Sequence, residues 1–164
     1  MRLRKFRKLR ENEYDMLPNF MYNAVIHPED DLLETDVVYE KQYYKYIKDF
    51  GKEGDFALVW DDDWRVSGII WTRMFKEEDE SFVYMDDETP ELTLSVLAGY
   101  NEQAIGKELL ELLFNELKIR GVKQVSVSIA HDNEIFDVYE LVGFKEYEYA
   151  KPRIDKRVKM LKTL

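Results

Sequence analysis

Apolar residues alternate with polar ones in stretches such as "QVSVSIA" and form short unbroken runs in others such as "FALVW", and both patterns predict β-strands. The predicted strands are "FRKL" (6–9), "FALVW" (56–60), "VSGIIWTRMF" (66–75), "LTLSVL" (92–97), "QVSVSIA" (124–130), "GFKEYEYA" (143–150) and "RVKMLKTL" (157–164). The aspartates of "DDDWR" (61–65) accept turn conformations, so the second and third strands are expected to form a β-hairpin.

Four other stretches show the helical period. They are "EYDMLPNFMYNAVI" (13–26), "TDVVYEKQYYKYIKDF" (35–50), "IGKELLELLFNELKIR" (105–120) and "NEIFDVYELV" (133–142). Pro18 is expected to interrupt or kink the first helix. Thr35 or Asp36 can cap the second helix, Gly51 follows its end, and Gly121 follows the third. Strands and helices intermingle along the chain, which predicts a mixed α/β fold.

Length and composition favour one globular domain over residues 1–164, because no Pro/Gly/Ser-rich linker or repeat marks a boundary. Hydrophobic residues make up 45% of the chain, which argues against disorder, and no window approaches the ~18 apolar residues of a membrane span. The basic start lacks the apolar segment of a secretory signal, and there is no cysteine. A soluble, cytoplasmic protein with no membrane partner is the expectation.

The net charge of −10 is unevenly distributed. Residues 1–10 and 151–164 together hold twelve Lys and Arg against Asp155, so the ends carry +11 and the middle of the chain carries −21. An acidic body disfavours nucleic acid as a partner and favours cationic ones. The basic start is expected to be a solvated edge strand, with a nucleic-acid contact as the alternative.

The turn "NEQAIG" (101–106) joins a strand to a helix, where backbone N–H groups and the helix dipole converge on an anion. A lone glycine makes this a weak signal, and a plain strand-to-helix connection is the alternative. "PELTLSVLAGYNEQAIGKELLELL" followed by "VSVSIAHDNEIFDVYELVGF" resembles the GNAT (Gcn5-related) N-acetyltransferase superfamily. The resemblance covers about residues 55–150.

The resemblance implies one domain with a mixed, mostly antiparallel sheet of 6–7 strands, flanked by about four helices. It also implies acetyl transfer from acetyl-CoA to an amine. Cofactor contacts fall on the strand, the turn and a later asparagine: Leu94, Val96, Asn101, Glu102, Gln103, Ala104, Ile105, Gly106, Lys107 and Asn133. Asn101 and Ala104 depart from the family's turn pattern, and Glu102 places a carboxylate near the diphosphate. A catalytically degenerate acyl-CoA-binding or scaffold module is therefore the alternative function.

Acetyl transfer needs a deprotonated amine, donors for the developing oxyanion and a proton for the leaving thiolate. By resemblance, Tyr139 would supply that proton, and a strand N–H near Val96 would hold the oxyanion. Asn133 would bind the pantetheine arm, with a helix cap as its alternative role. Glu91 is the first candidate for the general base, ahead of Glu88, Asp87 and Asp86, and a solvated strand-start carboxylate is its alternative.

The acceptor is expected to be a small-molecule or peptide amine of positive charge, and two-subunit association, common in the family, makes a homodimer an expectation. His27 and His131 lack the further ligands that a zinc site requires, so no metal is expected.

Overall fold

The structure is a computed structural model that describes residues 5–25, 35–130, 133, 135–147 and 157–164. The described strands are β1 (Lys5–Lys8), β2 (Phe56–Asp61), β3 (Val66–Arg73), β4 (Glu91–Val96), β5 (Gln124–Ala130), β6 (Lys145–Glu146) and β7 (Arg157–Thr163). The described α-helices are α1 (Leu17–Val25), α2 (Lys41–Tyr44), α3 (Glu102–Ile119) and α4 (Phe136–Leu141). Three short 3-10 segments cover Glu11–Met16, Thr35–Tyr39 and Glu77–Asp79.

These strands form a single sheet in the order β1-β2-β3-β4-β5-β7-β6. Neighbouring strands run antiparallel except for the central pair β4 and β5, which is parallel. The predicted fold class, a mixed and mostly antiparallel sheet with flanking helices, is confirmed.

The sheet separates two apolar cores because side chains alternate between its faces. Helices α3 and α4 cover one face, where Leu94, Leu109 and Val127 belong to one buried cluster. The N-terminal helices cover the other face, where Phe20, Ile69 and Trp71 belong to a second cluster. Helices from the N-terminal part of the chain thus pack on one face of the sheet, and helices that follow β4 pack on the other.

The single helix predicted over residues 35–50 is wrong. A 3-10 segment covers Thr35–Tyr39, a four-residue helix covers Lys41–Tyr44, and the chain then turns to Asp49, which has a φ of 52°. Side chains of β3 take the carbonyl groups that a longer helix would use. Trp71 Nε1 donates to Tyr46 O at 3.0 Å, and Arg73 donates to Lys45 O at 3.1 Å. Tyr39, the last residue of the 3-10 segment, is 55% exposed.

The interruption expected at Pro18 is present, because the 3-10 segment Glu11–Met16 ends and α1 begins at Leu17, one residue before the proline. Pro18 itself lies in the first turn of α1, where a backbone N–H has no partner within the α-helix. The strand predicted over 143–150 is only two residues long within the described part, and 148–150 lie outside it. Arg7 of the basic edge strand binds Glu13 at 2.8 Å and Asp61 at 3.0 Å, so this cation is paired within the molecule.

Candidate active site

The parallel strands β4 and β5 meet at their N-terminal ends and then separate. Within these two described strands the register pairs Glu91 with Ser126, and the Ser126 N–H donates to Pro90 O at 3.0 Å. Beyond that point a cleft opens between the strands, and α1 covers it with Met21 and Ala24. Two strands that diverge in the middle of a sheet leave backbone groups without a ladder partner, which makes the cleft a polar site.

Two amides of β4 face this cleft. The Leu97 N–H donates to Ser67 O of β3 at 2.8 Å. Because successive residues of a strand direct their N–H groups to opposite sides, Leu94 and Val96 direct theirs away from β3 and toward β5. Asn23 of α1 donates from Nδ2 to Val96 O at 3.1 Å, which fixes the helix over the opening. Leu94, which lines the cleft, and Val96, two residues further along, thus direct their backbone donors toward β5.

Tyr139 lies within α4 rather than in a turn after it, and its side chain lines the same cleft. The ring packs edge-on against Phe144 at 5.4 Å, and the residue is 2% exposed. Burial raises the pKa of the Tyr139 phenol, while the positive charge of Arg157 opposes part of that rise. The hydroxyl donates no hydrogen bond to any other described residue, so its proton is available to a group bound in the cleft.

The predicted phosphate turn forms the start of α3. Asn101 is the N-cap, and its Oδ1 accepts from the Ala104 N–H at 3.2 Å, while its carbonyl accepts from the Ile105 N–H at 3.0 Å. These two amides are therefore satisfied within the chain. Glu102 and Gln103 belong to the first turn of α3. Lys107 Nζ lies 3.7 Å from Glu111 Oε1, so this lysine is paired along the helix.

Gly106 brings this helix close to the sheet. A Cβ at this position would lie 3.4 Å from Leu94 Cδ2 and 3.9 Å from Ile135. Asn133 lines the cleft beside this contact, and its Oδ1 accepts from the Ile135 N–H at 3.0 Å. The helix cap that sequence offers as the alternative role of Asn133 is wrong, because the N-cap of α4 is Ile135 and the Asn133 side chain closes the turn before the helix.

Glu91 is buried at the closed end of the cleft. Its Oε1 accepts from the Tyr46 hydroxyl at 2.9 Å and from the Val83 N–H at 3.3 Å, and its Oε2 accepts from the Ser81 hydroxyl. Burial outweighs these hydrogen bonds and raises the pKa of the carboxyl. The solvated strand-start carboxylate that sequence offers as the alternative is wrong, because Glu91 is 3% exposed.

The other three candidate bases lie outside the cleft. Asp86 accepts from the Glu88 N–H at 2.8 Å and from the Thr89 hydroxyl at 2.8 Å, and these bonds lower its pKa. Asp87 accepts from the Tyr84 hydroxyl on the surface. Of the four carboxylates, Glu91 is the one that the structure brings to Tyr139 and the β4 amides.

Three side chains in the cleft have no signal in the sequence. Arg157, Phe82 and Tyr46 form a stack in which the guanidinium lies 4.8 Å from the Phe82 ring and Phe82 lies 5.6 Å from Tyr46 at 16°. Burial raises the pKa of the Tyr46 phenol well above its ordinary value. They come from three distant parts of the chain, so only the folded arrangement brings them together.

No protein-family model and no curated protein matches the sequence. Among solved structures, the chain is similar to the ribosomal-protein-S18-alanine N-acetyltransferase from Escherichia coli, with 16% identity, a TM-score of 0.64, and coverage of 98% of this chain and 94% of that one. The PaiA N-acetyltransferase from Thermoplasma acidophilum, solved in complex with coenzyme A, gives 16% identity, a TM-score of 0.67 and 99% coverage of both chains.

An aminoglycoside 6'-acetyltransferase type Ii gives 19% identity and a TM-score of 0.66 over 97% of this chain and 96% of that one. A structure from Streptococcus pneumoniae that is similar over 99% of this chain carries the GNAT family name, with a TM-score of 0.66. The protein therefore has the fold of the GNAT N-acetyltransferases.

In the described part of the chain, no helix is long and apolar enough to cross a membrane, and no three His, Cys, Asp or Glu side chains cluster as metal ligands do. His27 and His131 lie outside the described residues.

Proposed function

We propose that this protein is an N-acetyltransferase that moves an acetyl group from acetyl-CoA to an amine. The observation that carries the proposal is the cleft between β4 and β5, which Leu94 and Tyr139 line and toward which the alternation of β4 directs the Leu94 and Val96 amides. The fold shared with named N-acetyltransferases, one of them solved with coenzyme A, supports the same activity.

The residues present fit acetyl-CoA. When bound, the cosubstrate would supply the acetyl group as a thioester. Unpaired strand amides in the cleft suit the pantetheine arm and the acetyl oxygen, and the N-terminal end of α3 suits the pyrophosphate because the helix dipole favours negative charge there. Leu94, Val96, Asn133 and residues 101–107 are the proposed contacts. The close approach of Gly106 to Leu94 keeps this helix end beside the cleft.

Residues of the chain then meet each of the three chemical requirements of acetyl transfer. The amides of Leu94 and Val96 donate to the acetyl oxygen as it gains negative charge, which lowers the barrier because they are already in place. Tyr139 holds its proton at neutral pH, since the ordinary phenol pKa of 10 is already far above 7 and burial raises it further, and it delivers that proton to the departing sulfur. Glu91 receives the proton of the amine, directly or through water.

The start of α3 favours a second candidate function, in which the phosphate site is weak. Asn101 already satisfies the Ala104 and Ile105 amides, and Glu102 adds a carboxylate at that end. These features favour a weakened phosphate site, in which the fold binds an acyl-CoA or serves as a scaffold without turnover.

The Tyr139→Phe variant separates the two functions. We expect the rate of CoA release with an amine panel to fall about 10²-fold, the usual contribution of a proton donor, while acetyl-CoA affinity measured by calorimetry stays nearly unchanged. Tyr39→Phe, at a residue that is 55% exposed, is the matched control and should leave the rate unchanged.

An undiminished rate in Tyr139→Phe would remove Tyr139 as the acid. Acetyl-CoA binding with no release from any amine would favour the scaffold. Absence of binding up to millimolar acetyl-CoA, with ATP and 3'-dephospho-CoA as controls, would reject acetyl transfer and leave the scaffold.

A further inference from the structure

The hydroxyl group of Tyr46 is part of a hydrogen-bond chain that ends on Glu91. Tyr46 comes two residues after α2, is 4% exposed and lines the cleft. Its hydroxyl oxygen accepts from the Phe82 N–H at 2.8 Å, and the hydroxyl donates to Glu91 Oε1 at 2.9 Å. A backbone N–H can only donate and an ionised carboxylate can only accept, so the hydroxyl hydrogen lies on the Glu91 side. The chain of bonds therefore has one direction, from the backbone to the carboxylate.

Two further donors hold the same carboxylate. The Val83 N–H donates to Oε1 at 3.3 Å, and the Ser81 hydroxyl donates to Oε2. Together with Phe82, these residues form one short segment that holds Glu91 directly and also through Tyr46. An ionised carboxylate accepts at both oxygens, whereas a neutral carboxyl must donate from one of them, so three converging donors favour the ionised form.

Burial and these donors act on Glu91 in opposite directions. Burial raises the pKa of the carboxyl, whereas the hydrogen bonds from Ser81, Tyr46 and Val83 lower it. A general base needs both effects, because a raised pKa strengthens the base and the donors keep it ionised and able to receive a proton.

Four other ionisable groups act on Glu91 or share the cleft with it. They are Lys45 at the end of α2, Arg73 of β3, Tyr139 of α4 and Arg157 of β7. The Lys45 charge lowers the pKa of Glu91, and Arg73, the cross-strand neighbour of Glu91, binds Asp55 at 3.1 Å. Within the described part of the chain, no lysine or arginine forms an ion pair with Glu91. Neutral hydroxyl and amide donors take that place.

We propose that Tyr46 is a positioning residue that holds Glu91 ionised and oriented to receive the proton of the acceptor amine, an inference that rests on the proposed acetyl transfer. Oε1 already accepts two hydrogen bonds and Oε2 accepts one, so Oε2 is the atom with room for the proton. An N–H bond of the amine breaks and an O–H bond forms at Oε2, directly or through one water. Tyr46 neither gains nor loses a proton in this step.

The first test follows the Glu91 carboxyl by NMR and needs no turnover. Glutamate is labelled with 13C at the carboxyl carbon, the Glu91 signal is assigned by its loss in Glu91→Gln, and its chemical shift is recorded against pH. Tyr46→Phe keeps the ring and removes the hydroxyl, so the Glu91 titration should move upward by about one pH unit, the size expected for a lost hydrogen bond to a charged group. Ser81→Ala should move it in the same direction, because Oε2 loses its donor.

Tyr84→Phe is the matched control. It also removes a tyrosine hydroxyl that donates to a carboxylate, but Tyr84 binds Asp87 outside the cleft. The Glu91 titration in this variant should match that of the unmodified protein. A Glu91 titration that stays in place or moves downward in Tyr46→Phe overturns the proposal.

The pH dependence of CoA release keeps this inference separate from the proposed activity. The acceptor is a weakly basic amine such as a hydrazide, whose own ionisation lies at lower pH than that of Glu91. In Tyr46→Phe the acid limb of kcat should move upward with the NMR titration, while the plateau at high pH stays near that of the unmodified protein. A lowered plateau with an unmoved limb and titration overturns the proposal, because Tyr46 would then act through packing alone. A titration that moves without turnover of any amine supports the hold of Tyr46 on Glu91, and the proposed activity alone fails.

Discussion

Thr72 carries a buried hydroxyl with no hydrogen-bond partner in the described part of the chain. The residue is fully buried on β3, between Phe56 of β2 and Leu92 of β4 in the register. It shares a face with Gly68 and Ile70, where α3 packs, so the hydroxyl lies against apolar side chains. An unsatisfied buried polar group costs stability, because the unfolded chain can bond it to water.

Thr72→Val should therefore stabilise the protein. Valine has nearly the same shape without the hydroxyl, so the free energy of unfolding should rise by about 1 kcal/mol. For a chain of this size, that corresponds to a rise in Tm of about 2–4 °C by thermal denaturation. Thr163→Val, at an exposed strand end, is the control and should change Tm little. A lower Tm for Thr72→Val would mean that the hydroxyl has a bonding role.

Single residues also mark the limit of what sequence provides for the site. Tyr139 and Asn133 could be predicted because they occur in one local segment with recognisable spacing. Arg157, Phe82 and Tyr46 could not, because their contact depends on the packing of segments that lie far apart in the chain. The same holds for the three hydrogen bonds to Glu91, which turn an ordinary strand-start glutamate into a buried carboxyl.

At the scale of elements, β4 has two unlike edges. Its edge toward β3 is fully paired from Glu91 to Val96, whereas its edge toward β5 loses its partner after Glu91. Amides at alternate positions of one strand therefore differ in protection, although all of them lie in the middle of the sheet.

Hydrogen exchange followed by NMR should resolve that difference. We expect the Leu94 and Val96 amides to exchange at least about 10-fold faster than those of Thr93 and Ser95, because no strand protects them. Acetyl-CoA should slow the first pair and leave the second pair almost unchanged, which makes Thr93 and Ser95 internal controls. Equal exchange at all four positions in the free protein would contradict the open edge.

Elements also differ in how far their own sequence determines them. Helix α3 was predictable because a long apolar stripe and Gly121, with a φ of 79°, mark its course and end. The helix expected over 35–50 fails because Trp71 and Arg73 bind carbonyls that a local pattern assigns to the helix itself. Local periodicity predicts an element well only where no distant side chain competes for its backbone.

At the scale of the whole molecule, Glu91 gives stability a pH dependence. Burial raises the carboxyl pKa above its ordinary value of 4.5, so the folded state holds the proton more tightly than the unfolded chain. As pH rises through 4.5, the unfolded chain releases the proton first, and the free energy of unfolding falls until the folded carboxyl has also ionised.

The Glu91→Gln variant isolates this effect. The free energy of unfolding of the unmodified protein minus that of Glu91→Gln, measured in urea, should decrease as pH rises from 4 through a window that begins near 4.5, and then level off. The same measurement on Glu88→Gln, at an exposed position, is the control. A difference that increases with pH would show that the hydrogen bonds outweigh burial.

The order of the sheet is a property of the whole chain that alternation alone does not provide. Local patterns predict the seven strands, with approximate bounds for all but β6. The parallel pairing of β4 with β5 follows only from the crossover through α3 or from a family resemblance. The cleft exists because of that one parallel pair.

The two separate cores have a consequence for divergence. The N-terminal layer and the α3 layer meet different faces of the sheet and share no buried cluster, so substitutions can accumulate in one layer while the other stays intact. A lineage can therefore change the N-terminal layer without rebuilding the layer that contains α3.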